Sequence, residues 1–147
     1  ANACNYGFWL GFSTENVLEE NEVRASRRAG VAVENGVGCV LRGNSFADGA
    51  YGVLLWSKYV QPFALALPAN DTSRDWLIEG NRFERNAVAV RVAANQDHGV
   101  RPLPPGVPRC PPPRAHTLRA NSFRANRLDL ELIDAEEPLL EGNSFEA

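Results

Sequence analysis

Apolar residues alternate with small or polar residues in short stretches along the whole chain. A spacing of two predicts β-strands with one buried face rather than helices. Two such patterns interleave. In the first, two mostly apolar residues and two further positions are followed by Asn-x-Phe or Asn-x-Val, in copies that begin at Val17, Val40, Leu77, Thr117 and Leu139. In the second, a small or apolar residue precedes alternating apolar positions, in copies that begin at Gly7, Gly30, Gly52, Ala87 and Leu128.

The spacing of these repeats indicates the architecture. Asn21 and Asn44 are 23 residues apart, and Asn121 and Asn143 are 22 apart, while longer intervals between them contain insertions. A helical solenoid needs a longer period with apolar spacings of three and four, and a leucine-rich repeat has a leucine frame that this chain lacks. We therefore predict an all-β, right-handed parallel β-helix, a single-stranded solenoid of about five rungs that spans the chain.

The asparagines of the first pattern all occupy one phase of the repeat. Stacked rungs lie at the strand spacing of about 4.8 Å, so equivalent residues form columns. A turn asparagine tolerates the left-handed conformation, and stacked side-chain amides bond to one another and to the turn backbone. We predict a structural ladder of five residues: Asn21, Asn44, Asn81, Asn121 and Asn143.

This frame of Asn-x-Phe and alternating apolar positions resembles the parallel β-helix repeat family. The family includes pectate-lyase-like proteins, mannuronan epimerases and the periplasmic β-helix protein involved in copper delivery to nitrous oxide reductase. The resemblance implies an extracellular or periplasmic protein that faces carbohydrate and, if it is an enzyme, a polysaccharide lyase, epimerase or glycoside hydrolase. No family catalytic motif is recognisable, and the epimerases' Asp-Pro-His-Asp signature is absent. Because the repeat residues serve stacking, the resemblance leaves enzymatic activity open.

Alternation assigns the side chains of the second pattern to two faces of the strand. The residues expected to point into the coil are Phe8, Leu10, Phe12, Val31, Val33, Val53, Leu55, Val88, Val90, Val92, Leu128, Leu130 and Leu132. The outward residues are expected to form two columns, with Trp9, Ala32, Leu54, Ala89 and Asp129 in one and Gly11, Glu34, Trp56, Arg91 and Glu131 in the other. This assignment predicts a face with two exposed tryptophans, one arginine and three carboxylates.

Exposed aromatic rings beside charged groups suit a sugar ring, which offers C–H groups to the aromatic face and hydroxyls to its neighbours. The residues predicted to bind substrate are Trp9, Trp56, Arg91 and Tyr59. The alternative is surface packing, in which Arg91 lies over Trp56 and meets Glu131. The candidates for a catalytic role are Arg91, Glu34, Asp129, Glu131, Asp97 and His98.

The two insertions, residues 59–75 and 95–116, enter at the same phase, after the outward-facing strand. Two long loops at one edge either wall a binding groove or only cover the side of the coil. The proline-rich part of the second insertion is expected to stay extended without strand pairing.

Individual chemical signals in the insertions have competing interpretations. Asp97 and His98 form an acid/base pair, help to bind a cation, or act as solvated turn residues. Asp71 and Asp75 are compatible with a calcium ion, but no calcium-loop motif is present and no other metal site or cofactor is evident. Asn70 begins an Asn-Asp-Thr glycosylation acceptor that an Asx turn explains equally, and its replacement is expected to cost little. His116 is expected to be structural.

Charge and composition exclude several classes of function. The net charge of −3 provides no basic surface for nucleic acid or for an anionic membrane. No apolar run approaches the roughly 20 residues that span a bilayer. Cys4, Cys39 and Cys110 match no metal motif, and at least one of them stays unpaired if a disulfide forms.

Two functions remain after these exclusions. The first is a carbohydrate-facing β-helix module of a secreted protein that binds or acts on polysaccharide. The second is a non-catalytic structural or interaction repeat that presents loops and stacks on further rungs. The chain contains no methionine and no capping rung. We therefore expect a segment of a longer β-helix, or copies that stack end to end.

Overall fold

The computed structural model describes residues 2–147, which form three parallel sheets wound into one coil. Strands are numbered in chain order. The first, long sheet contains β1 (Tyr6–Gly11), β4 (Ala29–Glu34), β7 (Tyr51–Trp56), β10 (Val88–Ala93) and β15 (Leu128–Ile133). The second contains β2 (Val17–Glu19), β5 (Val40–Arg42), β8 (Leu77–Glu79), β13 (Thr117–Arg119) and β16 (Leu139–Glu141). The third contains β3 (Glu22–Arg24), β6 (Ser45–Ala47), β9 (Arg82–Glu84), β14 (Ser122–Arg124) and β17 (Ser144–Glu146). Each sheet thus has one strand from each of five rungs, which confirms the predicted parallel β-helix.

The interior of the coil is filled by columns of equivalent apolar side chains. Phe46, Phe83, Phe123 and Phe145 stack face to face, with ring centroids 5.3, 5.0 and 4.9 Å apart. The aliphatic columns of the long sheet pack beside them, and Val31, Val53 and Val90 are fully buried. The coil is narrow where a long strand passes the phenylalanines: a Cβ on Gly30 would lie 2.5 Å from the Phe46 ring. Glycine is required there by close approach rather than by a turn.

The alternation of the long strands breaks near their start, which corrects part of the predicted face assignment. Ala89 and Val90 are consecutive, yet both lie in the core cluster. Val88 therefore points outward, and Leu128, its partner in register, is exposed. The predicted inward orientation of Val88 and Leu128 is wrong, as is the outward orientation of Ala89 and of Asp129, which follows it in register. A pattern with a simple period of two does not reveal that two consecutive residues point inward.

Phe12 is a further exception to the predicted interior. It follows the last residue of β1, and its backbone is left-handed, with φ of 48°. Its ring stacks on Phe63 at a centroid distance of 4.5 Å, outside the core cluster. The predicted inward orientation of Phe12 is wrong.

The five asparagines form a hydrogen-bonded ladder along the turn between the second and third sheets. From Asn44 onward, each Oδ1 accepts both the backbone N–H and the Nδ2 of the asparagine one rung before it, at 2.9 and 3.0 Å throughout. From Asn44 onward, each Nδ2 also donates to a backbone carbonyl of the previous rung, for example from Asn81 to Leu41 at 2.9 Å. The ladder thus satisfies backbone groups that no strand pairing reaches.

A second, shorter ladder runs at the next corner and was not predicted. Asn126 Oδ1 accepts from the backbone N–H and Nδ2 of Asn86, at 2.9 and 3.1 Å. Asn86 Oδ1 in turn accepts the N–H of Gly49 at 3.1 Å. The signal was present in the sequence, since both asparagines stand five residues after a member of the first ladder.

The two insertions are folded against the coil. The first contains a short helix, α1 (Gln61–Ala66), and the second an antiparallel pair, β11 (Gln96–Asp97) and β12 (Arg101–Pro102). The expectation that prolines would prevent pairing in the second insertion is therefore wrong at Pro102. Proline is tolerated there because the strand lies at an edge.

Asn70 also differs from its expectation. Its side chain is buried, and its Nδ2 donates to the carbonyls of Ser13 and Asn35 at 3.0 Å each. Replacement would leave the buried Asn35 carbonyl without a donor, although the Ser13 carbonyl keeps the Val37 N–H at 3.0 Å. The structure therefore predicts a larger cost than the sequence did. A buried, bonded Nδ2 is also not presented as a glycosylation acceptor.

Candidate functional site

The outer surface of the long sheet carries two columns of side chains whose membership follows from the register. One contains Trp9, Ala32, Leu54, Arg91 and Glu131, and the other Gly11, Glu34, Trp56, Ala93 and Ile133. The prediction placed Arg91 and Glu131 in the column of Trp56, and this is wrong. The register places Ala89 beside Gly52, whereas the prediction placed Ala87 there, so Arg91 is the neighbour of Leu54 instead.

The second insertion folds back over the middle of this face. Trp56 is fully buried, and its Nε1 donates to Glu34 Oε2 at 2.8 Å. A Cβ on Gly99 would lie 2.8 Å from the Trp56 ring and 2.9 Å from Leu54. The predicted exposure of Trp56 is therefore wrong, since Gly99 closes the surface above it.

Arg91 holds this insertion on the sheet. Its Nε donates to the Gly99 carbonyl at 2.9 Å, and its Nη1 lies 2.9 Å from Glu131 Oε2. The side chain is only 8% exposed, because the loop covers it. A buried arginine with a carbonyl and a carboxylate partner is suited to fixing the loop, and it is not free for a substrate.

Trp9 remains open at the N-terminal end of the same face. The residue is 46% exposed. Its ring makes edge contacts with Tyr6 at 4.9 Å and with Trp56 at 5.3 Å, and the His98 ring lies 6.1 Å away. Within residues 2–147 its indole N–H has no hydrogen-bond partner. The ring is thus fixed by neighbours while its polar edge is available to a ligand.

An open cavity of about 400 Å³ lies beside the aromatic group formed by Tyr6, Trp9 and Trp56. It is lined by Asn5, Tyr6, Arg27, Arg28, Tyr51, Leu54, His98 and Val100. Arg27 and Arg28 are exposed and, within the described part of the chain, form no ion pair. The cavity therefore combines aromatic walls with two free positive charges.

Tyr6, Tyr51 and the two arginines were missed by the sequence analysis. A signal existed for the tyrosines, since Tyr6 and Tyr51 occupy the same first position of their long strands, with Ala29 between them in the register. The arginines lie on the turn before β4, where no repeat pattern marks them.

Two carboxylates with different environments lie next to the aromatic group. Burial raises the pKa of Glu34, opposed by its hydrogen bond from Trp56. The hydrogen bond from Lys58 Nζ, 2.9 Å long, lowers the pKa of Asp97. His98 Nε2 is 3.9 Å from Asp97. The structure thus brings Glu34, Asp97 and His98 into one neighbourhood, although each carboxylate already has a protein partner.

The remaining predicted site residues lie elsewhere. Asp129 accepts a hydrogen bond from Asn126 at 3.1 Å. Tyr59 lines a separate cavity of about 250 Å³ between the two insertions, with Cys110 on its wall. Asp71 and Asp75 are both close to Arg74, at 3.9 and 2.5 Å, so a guanidinium group already lies beside the two carboxylates considered for calcium.

The family model of the periplasmic copper-binding protein NosD matches residues 1–101. The chain belongs to the NosD family. No curated protein and no solved structure matches the chain. The family description confirms the predicted periplasmic location, and no helix within residues 2–147 is long and apolar enough to span a membrane.

The residues of this chain do not fit a copper site. Copper prefers thiolate, thioether and imidazole ligands, but the sequence has no methionine. Burial raises the pKa of Cys39 and of Cys110, which opposes the thiolate form that binds metal. His116 uses Nδ1 to accept the Trp76 N–H at 3.2 Å, and its Nε2 contacts Ser73 Oγ at 3.3 Å. Within residues 2–147, no group of three or more His, Cys, Asp or Glu side chains is arranged to hold a metal ion.

Proposed function

We propose that this NosD-family chain is a carbohydrate-binding β-helix module whose ligand lies on the aromatic surface of Trp9 and Tyr6. The observation that carries the proposal is the exposed, laterally fixed Trp9 ring with a free indole N–H. A sugar ring can stack its C–H groups on such an indole while a hydroxyl accepts from Nε1.

The cavity next to Trp9 indicates which saccharides fit. Its volume of about 400 Å³ is within the usual range for small-molecule sites. Arg27 and Arg28 carry unpaired guanidinium groups, which bind carboxylates in a bidentate geometry. The proposed ligand is therefore an acidic oligosaccharide, with one ring on Trp9 and a carboxylate toward the arginines.

The proposal is for binding without catalysis. Glu34 is committed to the Trp56 indole, and Asp97 to Lys58 and Arg101. A general acid or base must be within hydrogen-bond reach of the substrate proton. Both carboxylates instead bind protein groups: Glu34 holds the Trp56 indole on which Trp9 packs, and Asp97 pairs with Lys58.

The second candidate function, a structural or interaction module, is favoured by a different observation. The second insertion covers Trp56, Leu54 and Arg91, so the middle of the long face is closed to any ligand. A face closed by its own loop is expected of a scaffold that presents that loop. Carbohydrate binding requires a ligand to contact the exposed Trp9 ring in the first rung, whereas the scaffold function does not.

Isothermal titration calorimetry separates the two functions. Titration with an oligogalacturonate should give saturable heat, and a neutral oligoglucan should bind more weakly. Trp9→Ala should weaken binding by about tenfold or more, corresponding to about 1.4 kcal/mol. Phe63→Ala is the matched control, because Phe63 is also 46% exposed but lies on α1. Absence of heat with both sugars, or equal affinity of Trp9→Ala and wild type, would reject carbohydrate binding and leave the scaffold function.

A further inference from the structure

The proline-rich part of the second insertion contains a run of extended backbone, residues 107–113, that belongs to no helix or strand. The run lies between two residues with left-handed backbone, Gly106 with φ of 89° and Ala115 with φ of 57°. Four of its seven residues are proline, which fixes φ near −65° and disfavours the helical conformation of the residue before it. Such a run is expected to form a polyproline II helix.

Burial along this segment repeats at every third residue. Val107 and Cys110 are half-buried and Pro113 is buried. The residues between them are all exposed, namely Pro108, Arg109, Pro111 and Pro112. Because a polyproline II helix has three residues per turn, one edge of the segment lies on the coil and two edges face outward.

Hydrogen bonds fix the inward edge of the segment to the coil. The Cys110 N–H donates to Asn95 Oδ1 at 2.7 Å, and the Pro113 carbonyl accepts the N–H of Glu136 at 2.9 Å. Directly after the segment, the Arg114 N–H donates to the Ser73 carbonyl at 3.2 Å. The segment is therefore ordered before it meets a partner, which reduces the conformational entropy lost on binding.

The outward edges carry binding groups that the protein itself does not use. Four backbone carbonyls accept no hydrogen bond from residues 2–147, those of Pro108, Arg109, Pro111 and Pro112. The Arg109 guanidinium forms no ion pair within the same residues. Pro108 and Pro111 are one turn apart on one outward edge, at a distance of about 9 Å.

Clefts border the segment on both sides, so that it stands out as a ridge. Pro111 lines a cavity of about 250 Å³ together with Tyr59. Pro112 lines a second cavity of about 470 Å³ together with Asn95. The walls of a partner's groove can therefore reach down on either side of the ridge.

We propose that residues 107–113 form a docking ridge for a protein partner whose groove is lined by aromatic side chains and bordered by carboxylates. Aromatic rings pack against Pro108 and Pro111, and their N–H or O–H groups donate to the free carbonyls of the ridge. The carboxylates follow from charge complementarity, because residues 95–116 contain three arginines and one aspartate on a chain of net charge −3. The contact uses none of the residues assigned to sugar binding at Trp9.

NMR titration of isotopically labelled probe domains with the full chain tests the proposal. The probes are an SH3 domain and a WW domain, whose aromatic grooves bind polyproline II segments. At least one of them should show saturable shifts of its groove resonances, with a dissociation constant below about 1 mM. Pro108→Ala and Pro111→Ala should each weaken this binding by about tenfold. Arg109→Gln should weaken it less and should reduce its dependence on salt.

Pro104→Ala is the matched control, because Pro104 is an exposed proline of the same insertion that precedes Gly106. This variant should bind the probe like the wild type. Circular dichroism verifies that every variant keeps its strand content. Unshifted groove resonances in both probe domains at about 1 mM chain overturn the proposal. Binding that Pro104→Ala abolishes and Pro111→Ala leaves intact also overturns it, since the contact would then lie outside the ridge.

Discussion

Replacement of Asn81 by alanine removes the middle of the asparagine ladder and tests how much the ladder stabilises the coil. The Asn81 side chain takes part in four hydrogen bonds: two from Asn44 to Oδ1, one from Nδ2 to Asn121 and one from Nδ2 to Leu41. The side chain is buried, with 1% exposure, so water cannot replace these bonds. The substitution leaves the Asn44 N–H and the Leu41 carbonyl buried without a partner.

The expected cost follows from these stranded groups. With about 1–3 kcal/mol for each of the two buried groups left unpaired, we expect Asn81→Ala to lower the free energy of unfolding by about 2–6 kcal/mol. Asn143→Ala removes three equivalent bonds at the half-buried end of the ladder, where water can reach. Its expected cost is about 1 kcal/mol. Asn5→Ala, an exposed asparagine whose side chain makes no hydrogen bond within residues 2–147, should cost almost nothing.

The assay is guanidinium unfolding followed by far-ultraviolet circular dichroism, with the m-value compared between variants. An unchanged m-value shows that the variants differ in stability and not in the surface exposed on unfolding. The reasoning predicts the order Asn81→Ala, then Asn143→Ala, then Asn5→Ala. Equal midpoints for Asn81→Ala and Asn143→Ala would refute it, because burial would then have no effect on how much a ladder side chain contributes to the free energy of unfolding.

Three further predictions concern other parts of the fold. Burial lowers the pKa of His116 to about 4, below its unfolded value of 6.5, so the unfolded chain takes up the proton first as the pH falls. The contribution of His116 to stability is complete above pH 6.5 and should fall by up to about 3 kcal/mol toward pH 4, as measured by chemical denaturation at a series of pH values. A pH profile that His116→Gln leaves unchanged would contradict this. Gly30→Ala should strongly lower the melting temperature because its Cβ would meet the Phe46 ring at 2.5 Å, whereas Gly11→Ala, with 3.9 Å to its nearest neighbour, should not. Arg91→Met should speed hydrogen exchange and proteolysis in residues 95–116, and protection equal to that of the wild type would show that Arg91 does not hold the loop.

The coil was predictable from the sequence because its rungs are identical in phase. Asn44, Asn81 and Asn121 mark the same turn in successive rungs, and Phe46, Phe83 and Phe123 follow each of them by two residues. A parallel register aligns such positions automatically. The regular spacing therefore predicts the number of rungs and the order of their strands.

The candidate site was less predictable, since it depends on contacts that have no period. Ala89 replaces the glycine found at Gly52, so a search for a small residue followed by alternation placed the last two rungs two positions out of register. The burial of Trp56 depends on Gly99, which belongs to an insertion whose path over the sheet no repeat encodes. Arg91 could be recognised as outward-facing, but its partner Gly99 could not be known before the loop was placed.

The most direct test of the proposed function uses the three tryptophan indole N–H groups as separate probes in a ¹⁵N NMR titration with oligogalacturonate. Trp56 donates to Glu34 at 2.8 Å and Trp76 donates to the Gly36 carbonyl at 3.0 Å, both in buried positions, whereas the Trp9 indole N–H is exposed and free within the described chain. Binding on the aromatic surface predicts a saturable shift of the Trp9 indole resonance, with a much smaller change at Trp56 and none at Trp76. Three unshifted indole resonances at saturating sugar, or a shift confined to Trp76, would contradict a carbohydrate site at Trp9.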